Sequence, residues 1–498
     1  MNLDSLYEAI QAVREKCPEV PLLAVPWMQM KHPIHPVQRE LLGLPRRRPG
    51  LLRRAGNAIF SLLYALYLTA RLFQVRARHS ATLRAFAAQR FDLVAKSWRF
   101  EAGEGAGEDF YYGDLRQRLQ EKGLRMLTLY SYPRGSAWRG PRLASDCETW
   151  NLHELVLLPL SAPVRLVFSQ WATSRRLSRL AHETSELAAE VAKRAMLDCL
   201  SYRNLLQGLS YPVFQQAARI WKPKGMLALY EGHPWEQFAW AAAKKADPSC
   251  KTIGYQHTIL LPHQLSMLRS GASDRFSAKP DAVLCLGPRT VEMLRPSHPG
   301  SRLIPFGTFR KTAAANGSVP DPKRKTVLVL PEAHAEEMSL LFQTTARIAG
   351  RLPDHHFILR CHPILPSPRT QIRSSLGCDP EEIANLEVSL GKSVEEDFAR
   401  SSVLLYRGSS SVLYAVRKGL KPVYLRERSL PDLDSLSALR EWKETAEGPE
   451  ELAGILNRYA AAGASSSRQE WTVASEYVSS YAIPVDDFAL KALVEVLA

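Results

Sequence analysis

Cysteine is scarce in this sequence: its 498 residues include seven, and no two of them form a Cys-x-x-Cys pair. Structural zinc sites need closely spaced ligands, and disulfide frameworks need a denser set of cysteines. Neither is indicated, and a reducing compartment fits the cysteine usage best. Residues 1–16 have the pattern of a short amphipathic helix and lack the shape of a signal peptide. We therefore expect a cytoplasmic protein.

The chain also lacks the short motifs of several common enzyme classes. It contains no Gly-x-x-x-x-Gly-Lys-Ser/Thr, Gly-x-Gly-x-x-Gly or His-Glu-x-x-His sequence, so P-loop, dinucleotide-binding and zinc-protease functions have no support. The one Asp-x-Asp, at Asp432 and Asp434, precedes a predicted helix, where acidic residues are common. We expect neither a metal ion nor a cofactor, so that any phosphate charge would be met by His, Arg and helix N-termini.

Acidic residues are absent from one long basic segment. Between Leu41 and Phe91 there are ten arginines and no Asp, Glu or Lys, and the whole chain carries a net charge of +15. An uncharged apolar stretch at 55–70 lies inside this segment and is shorter than the roughly 20 residues that span a bilayer. A helix with such flanks can lie among lipid headgroups. The alternative is a core helix with solvated arginines at its ends.

We predict that the region Arg46–Arg90 contacts an anionic membrane surface, which would place the protein peripherally on the inner membrane. Nucleic acid is not an expected partner, because the interleaved aromatic and basic residues of a nucleic-acid platform are not visible.

Short apolar runs of strand type alternate with helical periodicity from Ser97 onward. This alternation is typical of parallel, doubly wound sheets, and 498 residues are enough for at least two domains. An Ala-, Gly-, Pro- and Lys-rich stretch interrupts the pattern at 312–325 and reads as a linker. We predict an α/β protein with two Rossmann-like domains facing a central cleft. The expected parts are an N-terminal helical extension (1–90), a first domain (91–311), the linker (312–325) and a second domain (326–498).

A candidate phosphate site follows a predicted strand at 403–405. Arg407, Gly408 and the serines Ser409, Ser410 and Ser411 come next and open a helix. Backbone N–H groups at a helix start, together with hydroxyls, bind anions. The alternative is that one serine is simply an N-cap.

Two further residue sets could belong to the same sheet edge of the second domain. His362 and Pro363 end the predicted strand at 356–360, and the imidazole could donate to a phosphate oxygen. Glu332 and His334 follow the first strand of that domain, where the phosphates or base of a donor would lie. The alternative for Glu332 is a helix-capping acid.

In the first domain, Glu231 follows a predicted strand at 226–230, and Gly232 allows close approach of a substrate. A carboxylate here could take a proton from a hydroxyl or attack an anomeric carbon. Its alternative role is a helix N-terminal charge accompanied by Glu236. His233 is a second catalytic candidate. His257, after the next strand, could contact donor phosphate or sugar.

The motifs Glu231-Gly232, His362-Pro363 and Ser409-Ser410-Ser411 resemble the signature of bacterial two-Rossmann-domain (GT-B) glycosyltransferases. They are most similar to enzymes that use CMP-activated acidic sugars, the bacterial sialyltransferases and Kdo transferases. This resemblance covers roughly Phe91 to Leu425. It implies that Glu231 is the catalytic carboxylate and that His362 and the serines bind the CMP phosphate. Tyr230 stands where the sialyltransferase motif usually has a second acid.

The expected function is transfer of a sugar from a nucleotide-activated donor, with a CMP-linked acidic sugar favoured, to a glycan or lipid-linked acceptor in cell-surface glycan synthesis. CDP-glycerol glycerophosphotransferases share the His-Pro and Ser-Ser motifs, so a polyol-phosphate transferase is an alternative. A third possibility is a non-catalytic partner that binds sugar nucleotides in a polysaccharide assembly.

Overall fold

The computed structural model describes residues 3–17, 51–98, 109–131, 151–261, 264–269, 279–309, 321–332, 335–362, 365, 367–428, 430, 432–461 and 464–498. The chain divides into two compact units, and each is described by itself. Unit 1 contains Met1–Thr258, Pro262–Arg310 and Ile483–Ala498, and unit 2 contains Ile259–Leu261 and Lys311–Ala482.

Unit 1 has seven described strands, which are β1 (Leu93–Trp98), β2 (Met126–Ser131), β3 (Asn151–His153), β4 (Gly225–Leu229), β5 (Lys251–Tyr255), β6 (Ala282–Cys285) and β7 (Arg302–Pro305). Its helices are α1 (Leu3–Lys16), α2 (Leu51–Ala87), α3 (Leu115–Glu121), α4 (Ala162–Leu180), α5 (Glu186–Cys199), α6 (Tyr202–Gly208), α7 (Ser210–Trp221), α8 (Pro234–Ala246), α9 (Leu265–Leu268), α10 (Pro288–Leu294) and, at the chain end, α17 (Asp487–Leu497).

Unit 2 has six described strands, which are β8 (Thr326–Leu330), β9 (His356–Leu359), β10 (Leu386–Val388), β11 (Val403–Tyr406), β12 (Lys421–Leu425) and β13 (Glu444–Ala446). Its helices are α11 (Ala335–Ala349), α12 (Pro368–Leu376), α13 (Val394–Arg400), α14 (Val412–Arg417), α15 (Pro449–Ala461) and α16 (Ala464–Tyr481).

All strands of unit 1 run parallel, in the order β3-β2-β1-β4-β5-β6-β7. The central strands are buried on both faces, which explains their continuous apolar sequences. The order reverses between β1 and β4. In doubly wound sheets, ligands bind at the carboxyl ends of the strands beside such a reversal.

Unit 2 repeats this arrangement with six parallel strands in the order β10-β9-β8-β11-β12-β13. Its reversal point lies between β8 and β11. Both sheets therefore have the strand order of the Rossmann fold. The prediction of two Rossmann-like α/β domains is confirmed.

The N-terminal helices are packed parts of unit 1. Helix α1 buries Leu6, Ile10 and Val13 against α5. Helix α2 buries one face, including Leu68 and Leu72, against α4 and the 3-10 turn that follows β3. Of the predicted helical extension 1–90, residues 18–50 lie outside the described residues, and the described parts form mainly α1 and α2, which both belong to unit 1.

The chain end belongs to unit 1, although the sequence pattern assigned all of 326–498 to the second domain. Ile483 joins the chain end to the Pro262–Arg310 part of unit 1. Its N–H donates to Leu286 O (2.9 Å), and its carbonyl accepts from Thr308 N (2.8 Å). Leu497 of α17 then packs so close to Gly225 that a Cβ there would lie 2.5 Å from it. These contacts join segments far apart in sequence, which a local pattern cannot reveal. Most of the predicted linker, 312–320, lies outside the described residues.

Candidate active site

Glu231 lies at the carboxyl end of β4, beside the reversal of strand order in unit 1. Strand β4 ends at Leu229 and pairs with β1 on one side and β5 on the other. Tyr230 N still donates to Tyr255 O (2.7 Å), so the chain leaves the sheet only at Glu231. The sheet therefore places this carboxylate where a ligand of a doubly wound fold binds.

Gly232 allows the turn after Glu231 to form. Its φ is +86°, in the left-handed region that favours glycine. A Cβ at this position would lie 2.0 Å from Ser266 Oγ, which donates to Gly232 O (3.1 Å). Any side chain here would both strain the backbone and displace Ser266.

Glu236, in the first turn of α8, holds the backbone of the same turn. Its Oε1 accepts from Glu231 N (2.9 Å), and its Oε2 accepts from Gly232 N (2.9 Å) and His233 N (3.0 Å). The side chain is completely buried, and this burial raises the pKa of Glu236 well above its ordinary value while the three N–H donors oppose the shift. Glu236 therefore acts on the candidate site by positioning Glu231 and His233.

The side chain of Glu231 lies between two imidazoles. Its Oε1 is 2.9 Å from His257 Nε2, and its Oε2 is 3.5 Å from His233 Nε2. The side chains of Glu231, His233 and His257 are 17%, 25% and 6% exposed. The structure thus brings together three predicted site residues. Because a carboxylate only accepts hydrogen bonds, Nε2 of His257 carries a proton, and the contact between Oε2 and His233 is the longer of the two.

His257 is held by aromatic residues that the sequence analysis did not single out. The Tyr111 ring meets the imidazole edge to face, with 4.7 Å between ring centroids, and Tyr255 lies on another side at 5.9 Å. Asp109 fixes Tyr111, because its Oδ1 accepts from Tyr111 N (2.8 Å) and its Oδ2 accepts from Tyr130 OH (2.8 Å). The run of aromatic residues before Gly113 was the available sequence signal for this wall of the site.

Lys96 is a second residue that sequence reasoning missed. It lies in β1, is almost fully buried, and its Nζ is 2.9 Å from Glu154 Oε2. The same Nζ lies 4.3 Å from the ring centroid of Trp235, directly after the Glu231 turn, and 5.1 Å from that of Trp98. A buried ion pair with cation–π contacts therefore supports the start of α8.

Tyr230 takes no part in proton chemistry at this edge. Its hydroxyl lies 2.8 Å from His298 Nε2, and both side chains are buried. His298 Nδ1 lies 3.1 Å from Leu294 O, so Nδ1 donates there and Nε2 accepts from the tyrosine. Burial lowers the pKa of His298 to about 3, which keeps the imidazole neutral. Tyr230 therefore does not replace the second acid that the resembling sialyltransferase motif has before its glycine, and Glu231 is the one acid directly before Gly232.

In unit 2, the three serines form the turn between β11 and α14. Ser409 is buried and its Oγ accepts from Ser411 N (3.4 Å), whereas Ser410 and Ser411 are half-buried. The carbonyl oxygens of the serines accept the first N–H groups of α14 at 3.0–3.4 Å. The turn therefore presents two serines that solvent and a ligand can reach.

Arg407 lies in the interior and not on the surface of this turn. It is 1% exposed, its Nη1 donates to Leu425 O (2.7 Å), and its guanidinium lies 5.5 Å from the Tyr424 ring centroid. The predicted direct phosphate contact of Arg407 is therefore corrected: this side chain ties the ends of β11 and β12 together. Burying an arginine is tolerable here because a carbonyl and a ring face compensate its charge.

Glu332 follows β8 and is also buried. Its backbone N and that of Gly408 both donate to Glu337 Oε1, each at 3.1 Å. A Cβ at Gly408 would lie 3.0 Å from Glu332 Cγ, so glycine allows the two turns to approach. Glu337 thus joins the turns on either side of the reversal point of unit 2.

His362 is half-buried after β9, and its carbonyl accepts from Leu365 N (3.0 Å). Strands β9, β8 and β11 are neighbours, so His362, Glu332 and the serine turn follow adjacent strands at one sheet edge. With a strand spacing of about 4.8 Å, the outer two turns are about 10 Å apart. Pro363 and His334 lie outside the described residues.

The Asp-x-Asp sequence has a structural role. Asp434 is buried, accepts from Tyr406 OH (2.6 Å) and pairs with Lys443 Nζ. Asp434 N donates to Asp432 Oδ1 (3.0 Å), which folds the pair into a local turn. Across the described ranges, no group of three His, Cys, Asp or Glu residues is arranged to hold a metal ion.

No protein-family model and no curated protein matches the chain. Solved structures do match it over 82% of its length. They include the glycotransferase of kitacinnamycin (14% identity, 100% of that chain, TM-score 0.48). They also include an α,α-trehalose-phosphate synthase (UDP-forming) from Burkholderia vietnamiensis (13%, 98%, 0.46) and MurG from Acinetobacter baumannii (12%, 99%, 0.41). Similarity at this level does not assign an activity.

We predict that Gly232→Ala destabilises unit 1 more than an equivalent change elsewhere. Gly377 has a φ of +83° with no atom near its missing Cβ, and Gly350 has neither feature. Gly377→Ala should therefore show the backbone strain alone, about 1–2 kcal/mol. Gly232→Ala should lose more, because it also collides with Ser266. Chemical denaturation of the three variants measures the order, and equal losses for Gly232→Ala and Gly377→Ala would contradict the proposed contact.

Proposed function

We propose that this chain is a metal-independent glycosyltransferase that moves a sugar from a nucleotide-activated donor to an acceptor hydroxyl. The observation that carries the proposal is the Glu231 carboxylate, held between His257 and His233 where the strand order of unit 1 reverses. A partly exposed carboxylate fixed by imidazoles at such a place is suited to general-base catalysis.

In the proposed reaction, Glu231 Oε2 removes the proton of the acceptor hydroxyl as its oxygen bonds to the anomeric carbon. The bond from that carbon to the donor's phosphate oxygen breaks, and its electron pair leaves with the nucleotide. His257 keeps Glu231 oriented through the 2.9 Å contact. Glu231 is assigned as the base because Tyr230 is buried and has no carboxyl group, while Glu236 is fully buried and accepts backbone N–H groups of the turn.

The serine turn of unit 2 is proposed to bind the phosphate of the donor. The hydroxyls of Ser410 and Ser411 can donate to phosphate oxygens and stabilise the charge that develops as the nucleotide leaves. His362 and Glu332, after the two strands next along the sheet, complete this edge. Arg407 contributes indirectly, by fixing the strand ends that carry the turn.

A CMP-linked acidic sugar is the favoured donor. Its single phosphate carries less charge than a diphosphate, so hydroxyl and imidazole donors can meet that charge without a divalent ion. The Glu-Gly, His-Pro and Ser-Ser motifs support the same choice by their resemblance to CMP-sugar enzymes. The proposed acceptor is a lipid-linked or polysaccharide glycan of the cell surface.

The reaction is tested by incubating the purified full chain with CMP-, UDP- and GDP-sugars and an oligosaccharide acceptor, followed by mass spectrometry of the product. We predict that the acceptor gains the mass of one sugar and no phosphorus, and that free nucleotide appears in equal amount. Transfer of a phosphorus-containing group would instead identify a polyol-phosphate transferase. Binding of a sugar nucleotide without turnover on any acceptor would contradict the enzymatic assignment.

We further propose that α2 holds the protein at the inner face of an anionic membrane. Its buried residues face unit 1, while a second apolar face is exposed on the opposite side. That exposed face, here called the α2 stripe, consists of Ile59, Phe60, Leu63, Leu66, Tyr67 and Phe73, which are 46–61% exposed. A surface helix of a soluble protein is normally polar on its outer face.

The charge around the α2 stripe favours an anionic lipid surface as its partner. The basic segment supplies ten arginines and no acid, and Arg84 is among those exposed. One window of α2, Gly56–Ala77, is long and apolar enough to cross a bilayer by length and composition, because apolar residues continue beyond Arg71. Its contacts through Ala65, Leu68 and Leu72 to the core of unit 1 favour a helix that lies on the surface.

We predict that replacing Ile59, Leu63 and Leu66 by serine weakens binding to phosphatidylglycerol vesicles at least tenfold. About half of each side chain is free to enter lipid, which is worth roughly 1 kcal/mol per residue. Vesicle co-sedimentation measures the change, and wild type should bind phosphatidylcholine vesicles and high-salt samples poorly.

A matched control replaces Leu390, Val473 and Phe488, which are exposed apolar residues outside α2, by serine. This control variant should bind anionic vesicles like wild type. If the α2 variant also binds like wild type, or if it only converts a dimer to a monomer, the membrane proposal is wrong.

A further inference from the structure

Glu337 has one carboxyl oxygen in use and one that is not. It lies in the first turn of α11 and is 4% exposed. Oε1 accepts from Glu332 N and Gly408 N, whereas Oε2 has no hydrogen-bond partner within the described part of the chain. A buried carboxylate oxygen without a donor costs free energy, so this arrangement calls for either a proton on Oε2 or a ligand beside it.

The unused oxygen lies beside Gly408, the residue that precedes the serine turn. A Cβ built on Gly408 would lie 3.4 Å from Glu337 Oε2 and 3.6 Å from Leu433 Cδ1. Because Gly408 has no side chain, Oε2 borders the backbone that leads directly into Ser409 and Ser410. Glu337 therefore lies beneath the turn to which the proposed function assigns phosphate.

The groups around Glu337 place its pKa near neutral pH, so that the protonated and ionised forms are both populated there. Burial raises the pKa of Glu337 to about 7, and the neighbouring Glu332 carboxylate acts in the same direction. The N–H groups of Glu332 and Gly408 and the Arg407 guanidinium oppose the shift. Leu433, which packs on the same glycine, adds no charge.

We propose that protonated Glu337 donates a hydrogen bond from Oε2 to an anion bound at the serine turn, so that anion binding there takes up a proton. This inference rests on the proposed function, because it requires a phosphate-like ligand at the turn. Ionised Glu337 would instead face the anion with a negative charge and no donor. Glu337 is thus a ligand-binding residue in addition to its role in joining two turns.

The sign of the pH dependence follows from linkage. The anion favours the protonated carboxyl and raises its pKa in the complex. Affinity is therefore highest below the pKa of the free protein, about 7, and falls by up to about tenfold per pH unit above it. The decline ends when pH exceeds the raised pKa of the complex.

The test measures sulfate binding to the full chain by calorimetry. Sulfate is the probe because its charge stays constant between pH 6 and pH 8. We expect wild-type affinity to fall about fivefold or more from pH 6 to pH 8. Glu337→Gln should lose the part of the pH dependence that Glu337 contributes, because its amide oxygen can still accept both N–H donors while its NH₂ group replaces the protonated oxygen. Any dependence that remains is assigned to His362. Glu336→Gln, which changes an exposed carboxyl in the same first turn of α11, is the matched control and should keep the wild-type pH dependence.

Equal pH dependence in wild type and Glu337→Gln, or its loss in Glu336→Gln, would overturn the role of Glu337 while leaving the phosphate site intact. Ser410→Ala/Ser411→Ala separates the two claims, since it should weaken both sulfate and CMP at every pH. If neither sulfate nor CMP binds wild type, the phosphate site is wrong and the proton linkage with it. Circular dichroism and the melting temperature confirm that each variant is folded.

Discussion

A buried carboxylate that accepts backbone N–H groups fixes each candidate site of this protein. A parallel strand that ends at the reversal of its sheet leaves N–H groups pointing away from any neighbouring strand, and these groups need acceptors. Glu236 supplies them after β4, and Glu337 does so after β8. Each lies five residues beyond the glutamate whose N–H it accepts, within the sequence Glu-x-His-x-x-Glu.

The chemistry that each unit can perform follows from this shared arrangement. In unit 1 both oxygens of Glu236 are occupied by N–H donors, so the buried group is purely structural and Glu231 is free to meet His257 and His233. In unit 2, Oε1 of Glu337 accepts N–H groups from the turns after β8 and β11, and Oε2 lies beside Gly408, which precedes the serines. In the proposed function, the same arrangement therefore positions the base of unit 1 and lies beside the phosphate site of unit 2.

Much of the fold could be predicted from sequence, because buried parallel strands are short apolar runs between helices. The strands predicted at 226–230, 356–360 and 403–405 correspond to β4, β9 and β11, with bounds that differ by one residue at one or both ends. Strand β1 was missed because Lys96 interrupts its apolar run, and contacts with Glu154, Trp235 and Trp98 make that lysine tolerable there. The return of α17 to unit 1 depends on contacts that a local pattern does not contain.

The site residues that could be predicted are the acidic and histidine side chains that follow directly after a predicted strand. Glu231, His233 and His257 meet because neighbouring parallel strands end at one edge. The prediction for Arg407 was wrong. Its position after β11 suggested contact with a phosphate, but the long side chain turns inward and donates to Leu425 O. Tyr111 and Lys96 were not predicted, since their roles depend on the side chains that they contact.

The most direct test of the account compares turnover and nucleotide binding in Glu231→Gln. The amide keeps the size of the side chain but cannot take a proton from the acceptor hydroxyl. The account predicts that kcat falls by about 10²–10⁴-fold, while the rise in melting temperature caused by CMP stays at the wild-type value. Turnover within a few-fold of wild type, with the variant folded and CMP bound, would contradict the assignment of Glu231 as the base.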